Sequence, residues 1–267
     1  MKLYIKSFSS YRSDIDEVEI KKTLKQKYKY DPRRQDAFIH LAVYGAMLLK
    51  DKIEIASDDE LFVTTGIGNI EVVEKTMVKL EKERESIKLF DFLNSVGNTT
   101  SYYVASALKL KGKNIFQTSD NFTYINSLIS VYASISNSAK NAIISTIDFV
   151  PSSDQLSKRL LGVDESCDLV SSVNYQKVSL QRDGAIAELE FNALSYSLDE
   201  VKKIVESSDM GIVASPRCSK LEYQKDSKFF ENMASYELNV ALQNCKNLIF
   251  IDCFENRYKI LKLKSLK

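Results

Sequence analysis

Apolar residues along this chain keep changing their spacing, and each change marks a boundary between elements. Over residues 33–50 they fall at Phe38, Leu41, Ala42, Ala46 and Leu49, the three-to-four spacing of an amphipathic helix. Glu60–Thr65 is a short β-branched and aromatic run, hence a strand, and Gly66-Ile67-Gly68-Asn69 turns it into a helix over 70–82. A polar loop from Asn94 leads to a helix near Asn98 or Thr99, capped by Thr99 or Thr100 and stopped by Gly112. Asn114–Thr118 reads as the next strand, 123–135 as a largely apolar helix, and 141–150 as a further strand.

The second half repeats this rhythm more loosely. After a polar loop over 151–158 and an irregular stretch over 160–171, residues 178–181 and 185–191 read as two strands or as one hairpin turned by Asp183-Gly184. A helix over 198–207, a strand over 210–214 and a helix over 229–244 follow, the last holding the small residues around Ala234 and Ser235. Residues 247–253 and 258–263 form a closing hairpin through Glu255-Asn256. Its second arm is rich in lysine, as suits an edge strand that must resist pairing. Strands alternating with helices argue for an α/β core with parallel strands, and the similar order in the two halves suggests duplication.

Composition narrows the function. The chain has 267 residues with 44% hydrophobic and 27% charged side chains and a net charge of +1. No basic run interleaves with aromatics, so nucleic acid is not an expected partner. The first residues are too polar for a signal peptide and no run approaches a membrane span, so the expected setting is cytoplasmic, with no membrane partner. Cys167, Cys218, Cys245 and Cys253 are scattered without a CxxC pair, which argues for reduced, mostly buried thiols and against a metal site. His40, the only histidine, lies one residue off its helical stripe and reads as a packing residue. The strand–Gly-x-Gly–helix at 60–82 lacks the third glycine and the acidic residue of a dinucleotide fold, so no nucleotide cofactor is expected.

The stretch GKNIFQTSDNFT, residues 112–123, has the form of a strand feeding a helix whose first turn would carry a nucleophile. Its neighbours make the form recognisable. Arg33-Arg34 with Ala37-Phe38, the strand and glycine turn at 61–71, the loop at Asn94 to Thr99, the turn at 108–114, Asp148 at a strand end and Asp183-Gly184-Ala185 follow in order. Together they resemble the β-ketoacyl synthases, and specifically the short chain length factors of aryl polyene biosynthesis. The resemblance implies a thiolase-like layered αβαβα fold, one domain over 1–267, with a pseudo-active site in 1–170 and a reduced second half in 171–267.

In active synthases a cysteine stands at the N-terminus of that helix, where helix-end amides lower its pKa and stabilise developing charge. The resemblance puts Asn121 there, and an amide cannot act as an acyl-transfer nucleophile. The family's two catalytic histidines have no counterpart, so the resemblance implies an inactive subunit without cofactor. Such a subunit pairs with an active β-ketoacyl synthase, meets acyl carrier protein through that partner, and limits chain length. By resemblance Asn114, Ile115, Phe116, Gln117 and Thr118 form the dimer interface, and Ile67, Val72, Thr76, Phe92 and Leu93 gate the tunnel. Two other readings stay open: an acyltransferase using Ser119 or Cys218, and a carrier-protein docking scaffold without influence on chain length.

Overall fold

The computed structural model describes residues 1–138, 140–223 and 228–267. It begins with a strand that the hydrophobic pattern does not announce, β1 (Lys2–Arg12). Its burial alternates, but two of the inward positions are Ser7 and Ser9, so the period of 2 is invisible to a hydrophobic count. Ser9 Oγ donates to the Gly45 carbonyl at 3.1 Å on the helix above. That helix comes close because Gly45 has no side chain; a Cβ there would stand 2.7 Å from the Tyr175 ring.

The remaining elements follow as α1 (Ile20–Gln26), α2 (Ala37–Lys50), β2 (Glu60–Thr65), α3 (Ile70–Val78) with a π-helical turn at Lys79–Glu83, α4 (Leu89–Ser95) and α5 (Gly97–Leu108). Then come β3 (Asn114–Thr118), α6 (Thr123–Ser138), β4 (Ala142–Asp148), α7 (Gln155–Leu161), β5 (Asp168–Leu169) and β6 (Ser172–Ser179). The chain closes with β7 (Ala187–Phe191), α8 (Leu198–Glu206), β8 (Gly211–Ala214), β9 (Lys228–Phe229), α9 (Met233–Gln243), β10 (Leu248–Phe254) and β11 (Arg257–Ser265).

Nine strands form one sheet in the order β3-β2-β4-β6-β1-β7-β11-β10-β8, while β5 and β9 pair separately. Reading outward from the β1–β7 pair, both halves run first strand, fifth, fourth, second. The first half then adds β3, for which the second half has no equivalent in this sheet. The directions repeat too: β2 and β4 are parallel as β8 and β10 are, and each fourth strand is antiparallel to its fifth. The duplication is therefore real, and its second copy is one strand short.

Of the two readings of 178–191, separate strands hold and the hairpin does not, because β1 inserts between β6 and β7 and pairs with both. The lysine-rich β11 is not an edge but lies between β7 and β10, where Lys262 and Lys264 sit opposite Glu190 and Glu188. Its lysines match carboxylates across the ladder instead of blocking an edge.

Alternate positions of each strand feed different layers. Leu61, Val63, Ile143 and Tyr175 pack under α2 and α5. Phe62, Ile144 and Val178 from the first half, with Leu189, Phe250 and Leu263 from the second, enclose α6 and α9. Ile249, Ile251 and Ile260 pack against α8. This gives helix, sheet, helix, sheet, helix, with α6 and α9 in the middle layer. A buried polar chain holds that layer in register: the Tyr124 hydroxyl donates to Gln176, Gln176 Nε2 to Asn239 Oδ1 at 2.7 Å, and Asn239 Nδ2 to the Ser9 carbonyl at 3.2 Å.

Candidate functional site

The mouth of α6 is where the ends of β3, β4 and β8 and the segment entering α9 meet. Between β3 and α6 the backbone turns through Phe122, whose φ of +49° lies in the left-handed region. A non-glycine residue there is uncommon and marks a turn held by its surroundings. Phe122 is buried and meets the Phe254 ring edge-on at 6.5 Å. The preceding Asn121 is half-buried and turned aside, its Nδ2 donating to Asp120 Oδ1 at 2.8 Å. The side chain that enters the middle layer at this turn thus belongs to Phe122.

Behind the turn lies a cluster of buried charge. Thr123 Oγ1, on the first residue of α6, contacts Glu231 Oε1 at 3.0 Å. Arg217, in the loop after β8, places Nη1 2.7 Å from Glu231 Oε2, a charge contact without the alignment of a hydrogen bond. Its Nη2 donates to the Leu161 carbonyl at 2.6 Å and the Asp120 carbonyl at 3.2 Å. The guanidinium also stacks over Phe229 at 4.8 Å. Asp148, at the end of β4, accepts from the backbone N–H and the Nδ2 of Asn232 at 3.0 and 3.1 Å. Asp252 in β10 accepts from the Cys253 N–H at 2.9 Å.

Three carboxyls around one arginine, Glu231 and Asp252 buried and Asp148 half-buried, cannot all ionise cheaply. Burial pushes Glu231 well above the ordinary carboxyl range, Asp252 and Asp148 add to the rise, and Arg217 opposes it. Burial likewise raises Asp148 to about 7 against the hydrogen bonds from Asn232, and raises Asp252 against Arg217. Carboxyls poised this way can exchange protons, but the space beside them is small. The cavity beside Asp148 and Glu231, lined also by Thr65, Ile67 and Ser157, has a volume of about 20 Å³. That is room for about one water molecule and no acyl chain.

Both proposed substitute nucleophiles are engaged by other groups. Ser119 Oγ donates to the Asn121 carbonyl at 2.7 Å and accepts from Asn126 Nδ2. Cys218 is fully buried, its Sγ 3.4 Å from the Ile251 carbonyl. His40 lies in the outer layer on α2, with Nε2 2.9 Å from the Pro32 carbonyl.

The gate candidates divide between three places. Ile67 lines the small cavity. Val72 and Thr76 line an open groove of about 370 Å³ between α3 and Pro151-Ser152-Ser153. Phe92 and Leu93 lie on α4 and are 54% and 37% exposed. Val73, Met77, Leu80, Leu89 and Val96 are exposed around them. Since α3 packs on α4, α4 on α5 and α5 on β3, these residues share one end of the molecule with the free edge of β3. Tyr102 is exposed on that end as well. Sequence reasoning missed Arg217 and Glu231 as site residues. The available signal was charge in an apolar setting, since Glu231 follows Phe229-Phe230 directly.

No protein-family model matches the chain, and no curated protein matches it. Solved structures do. One described as the ishigamide ketosynthase/chain length factor superposes with a TM-score of 0.75 over 100% of both chains at 8% identity. A ketosynthase in complex with its chain length factor from Xenorhabdus doucetiae gives 0.63 over 98% of this chain and 99% of that one at 10% identity. A type II polyketide acyl-carrier protein in complex with its ketosynthase, bound to the hexaketide, gives 0.62 over 99% of both chains at 10% identity.

Proposed function

The chain has the thiolase-like fold of ketosynthases and chain length factors. From that premise we propose that it is a catalytically inactive ketosynthase-like subunit that pairs with a cysteine-bearing ketosynthase and acts as its chain length factor. The observation that carries this reading is the mouth of α6. Phe122 occupies the turn, the Arg217–Glu231 pair fills the space behind it, and neither thiol nor imidazole is present among the described residues there. Joint absence of nucleophile and base favours a retained scaffold over a changed chemistry. The exposed apolar end beside the β3 edge supplies a surface for a partner, and the ketosynthase–chain length factor complex among the similar structures supports its identity. An acyl carrier protein would be met through that partner, and no cofactor is required.

The test is native mass spectrometry of the protein co-expressed with ketosynthases of its own source. The expected result is a one-to-one complex with a cysteine-bearing synthase. A stable homodimer that ignores every synthase would overturn the proposal.

A further inference from the structure

Away from the α6 mouth, two thiols meet on the α8 face of the second half. Along β10, residues 249, 251 and 253 point to that face, and Cys253 shares its apolar cluster with Cys218. The Cys253 thiol lies beside the side chains of both Cys218 and Tyr258, the latter opposite it in the ladder. Cys218 is held by the Ile251 carbonyl and by a tight turn in which its N–H donates to the Ser215 carbonyl at 2.8 Å. Lys220 Nζ, two residues on, reaches Asn256 Oδ1 at 2.7 Å and ties the same loop to the β10–β11 turn. The loop is thereby held with its thiol against β10.

The two thiols are not alike. The Cys218 and Tyr258 side chains beside it bring Cys253 down to about 7, against the pull of burial. Tyr258 moves the other way, to about 12, through burial and the sulfur beside it. Cys253 keeps 8% exposure at the end of its strand while Cys218 has none. Cys253, at the end of its strand, is the attacking thiol, and the fully buried Cys218 the resolving one.

We propose that Cys218 and Cys253 form a peroxide-responsive dithiol, closing to an intramolecular disulfide that clips the Arg217 loop to β10. The Cys253 thiolate attacks one oxygen of hydrogen peroxide, the O–O bond breaks, and the departing hydroxide takes a proton to leave as water. This gives a sulfenic acid at Cys253. The Cys218 sulfur then attacks that sulfur, its proton leaves with the hydroxyl as a second water, and the S–S bond forms. Two thiols are oxidised and one peroxide is reduced to two waters. Arg217 and Asp252 immediately precede the two cysteines, so the clip fixes the loop that supplies the cation to the buried carboxyls.

The experiment treats the folded full-length protein with hydrogen peroxide and reads intact mass, peptide linkage and melting temperature. The expected result is a monomer lighter by about 2 Da, a peptide pair joining 218 to 253, and a melting temperature raised by several degrees. Cys218→Ser should stop at the sulfenic acid, trapped by dimedone at Cys253, and Cys245→Ser should behave as the wild type. A linkage through Cys167 or Cys245, or oxygen addition without loss of about 2 Da in the wild type, would overturn the proposal. The wild-type linkage map decides even if a cysteine variant fails to fold.

Discussion

Arg217 reaches into a cluster of three carboxyls, two of them buried, and the stability of that cluster follows from what the arginine does there. Removing the cation from a buried pair strands the carboxylate and costs about 3–5 kcal/mol. Arg217→Met should therefore destabilise the protein by that amount in urea unfolding, while Arg217→Met combined with Glu231→Gln should regain most of it. If the double variant is no better than the single one, the loss is packing over Phe229 rather than charge. Asp148 gives a second handle. With its folded pKa at about 7 and an ordinary value near 4 when unfolded, the native state holds the proton that the unfolded chain releases. Its contribution is complete below about pH 4, falls as pH rises towards about 7, and is gone above that. Glu231 and Asp252 shift the same way. Buried His40, lowered by desolvation, acts in the opposite sense and is lost as pH falls. Asp148→Asn should remove a decline of about 3–4 kcal/mol between pH 4 and pH 8, seen as a flatter stability–pH curve. A curve unchanged from wild type would mean that Asp148 is not the titrating group. Of this cluster the sequence shows the residue types but not the meeting. Arg217, Glu231 and Asp148 are brought together by three strand ends, and nothing local in SPRC or FFEN signals a pair.

At the scale of elements, the free edge of β3 is the most exposed commitment of the fold. Leu61 N–H donates to the Lys113 carbonyl and Ser119 N–H to the Thr65 carbonyl, so odd-numbered residues of this segment face β2. By alternation the N–H groups of Asn114, Phe116 and Thr118 point outward along the edge. Thr118→Pro removes one outward donor, costs no ladder bond to β2, and replaces an exposed side chain. The expected outcome is an unchanged melting temperature with weakened association, read by native mass spectrometry. Full assembly with the variant would place the partner surface elsewhere. This strand was legible because its aromatic and β-branched residues lie between turn signals, and the same holds for β2 and the closing hairpin. By contrast β1 was not, since serine occupies its inward positions where α2 comes close at Gly45. Nor was the insertion of β1 between β6 and β7, because pairing between strands far apart in sequence leaves no local mark.

For the whole molecule, two features combine into one expectation about product length. On the proposed function, the space of about 20 Å³ at the α6 mouth leaves no room for an acyl chain, so this subunit would act on its partner's chain from its outer end. That end carries Val72 and Thr76 on an open groove of about 370 Å³ beside the exposed α4. Thr76 is buried at the groove floor with Oγ1 lacking a hydrogen-bond partner, so replacing it by a hydrocarbon removes no bond. Each methylene that can be buried adds about 0.8 kcal/mol, roughly a fourfold preference at room temperature. If the groove wall closes the partner's tunnel, Thr76→Phe should shorten the dominant product by one or two extension units. Phe92→Ala, which opens space on α4, should lengthen it. Product profiles from the reconstituted pair, with thermal melts as a folding control, read both directions. A length distribution unmoved across Ile67, Val72, Thr76, Phe92 and Leu93, with only the yield changing, would leave a docking role and exclude control of length. Opposite shifts from the larger and smaller side chains require the groove to meet the acyl chain, since general destabilisation would lower both yields without reversing the direction.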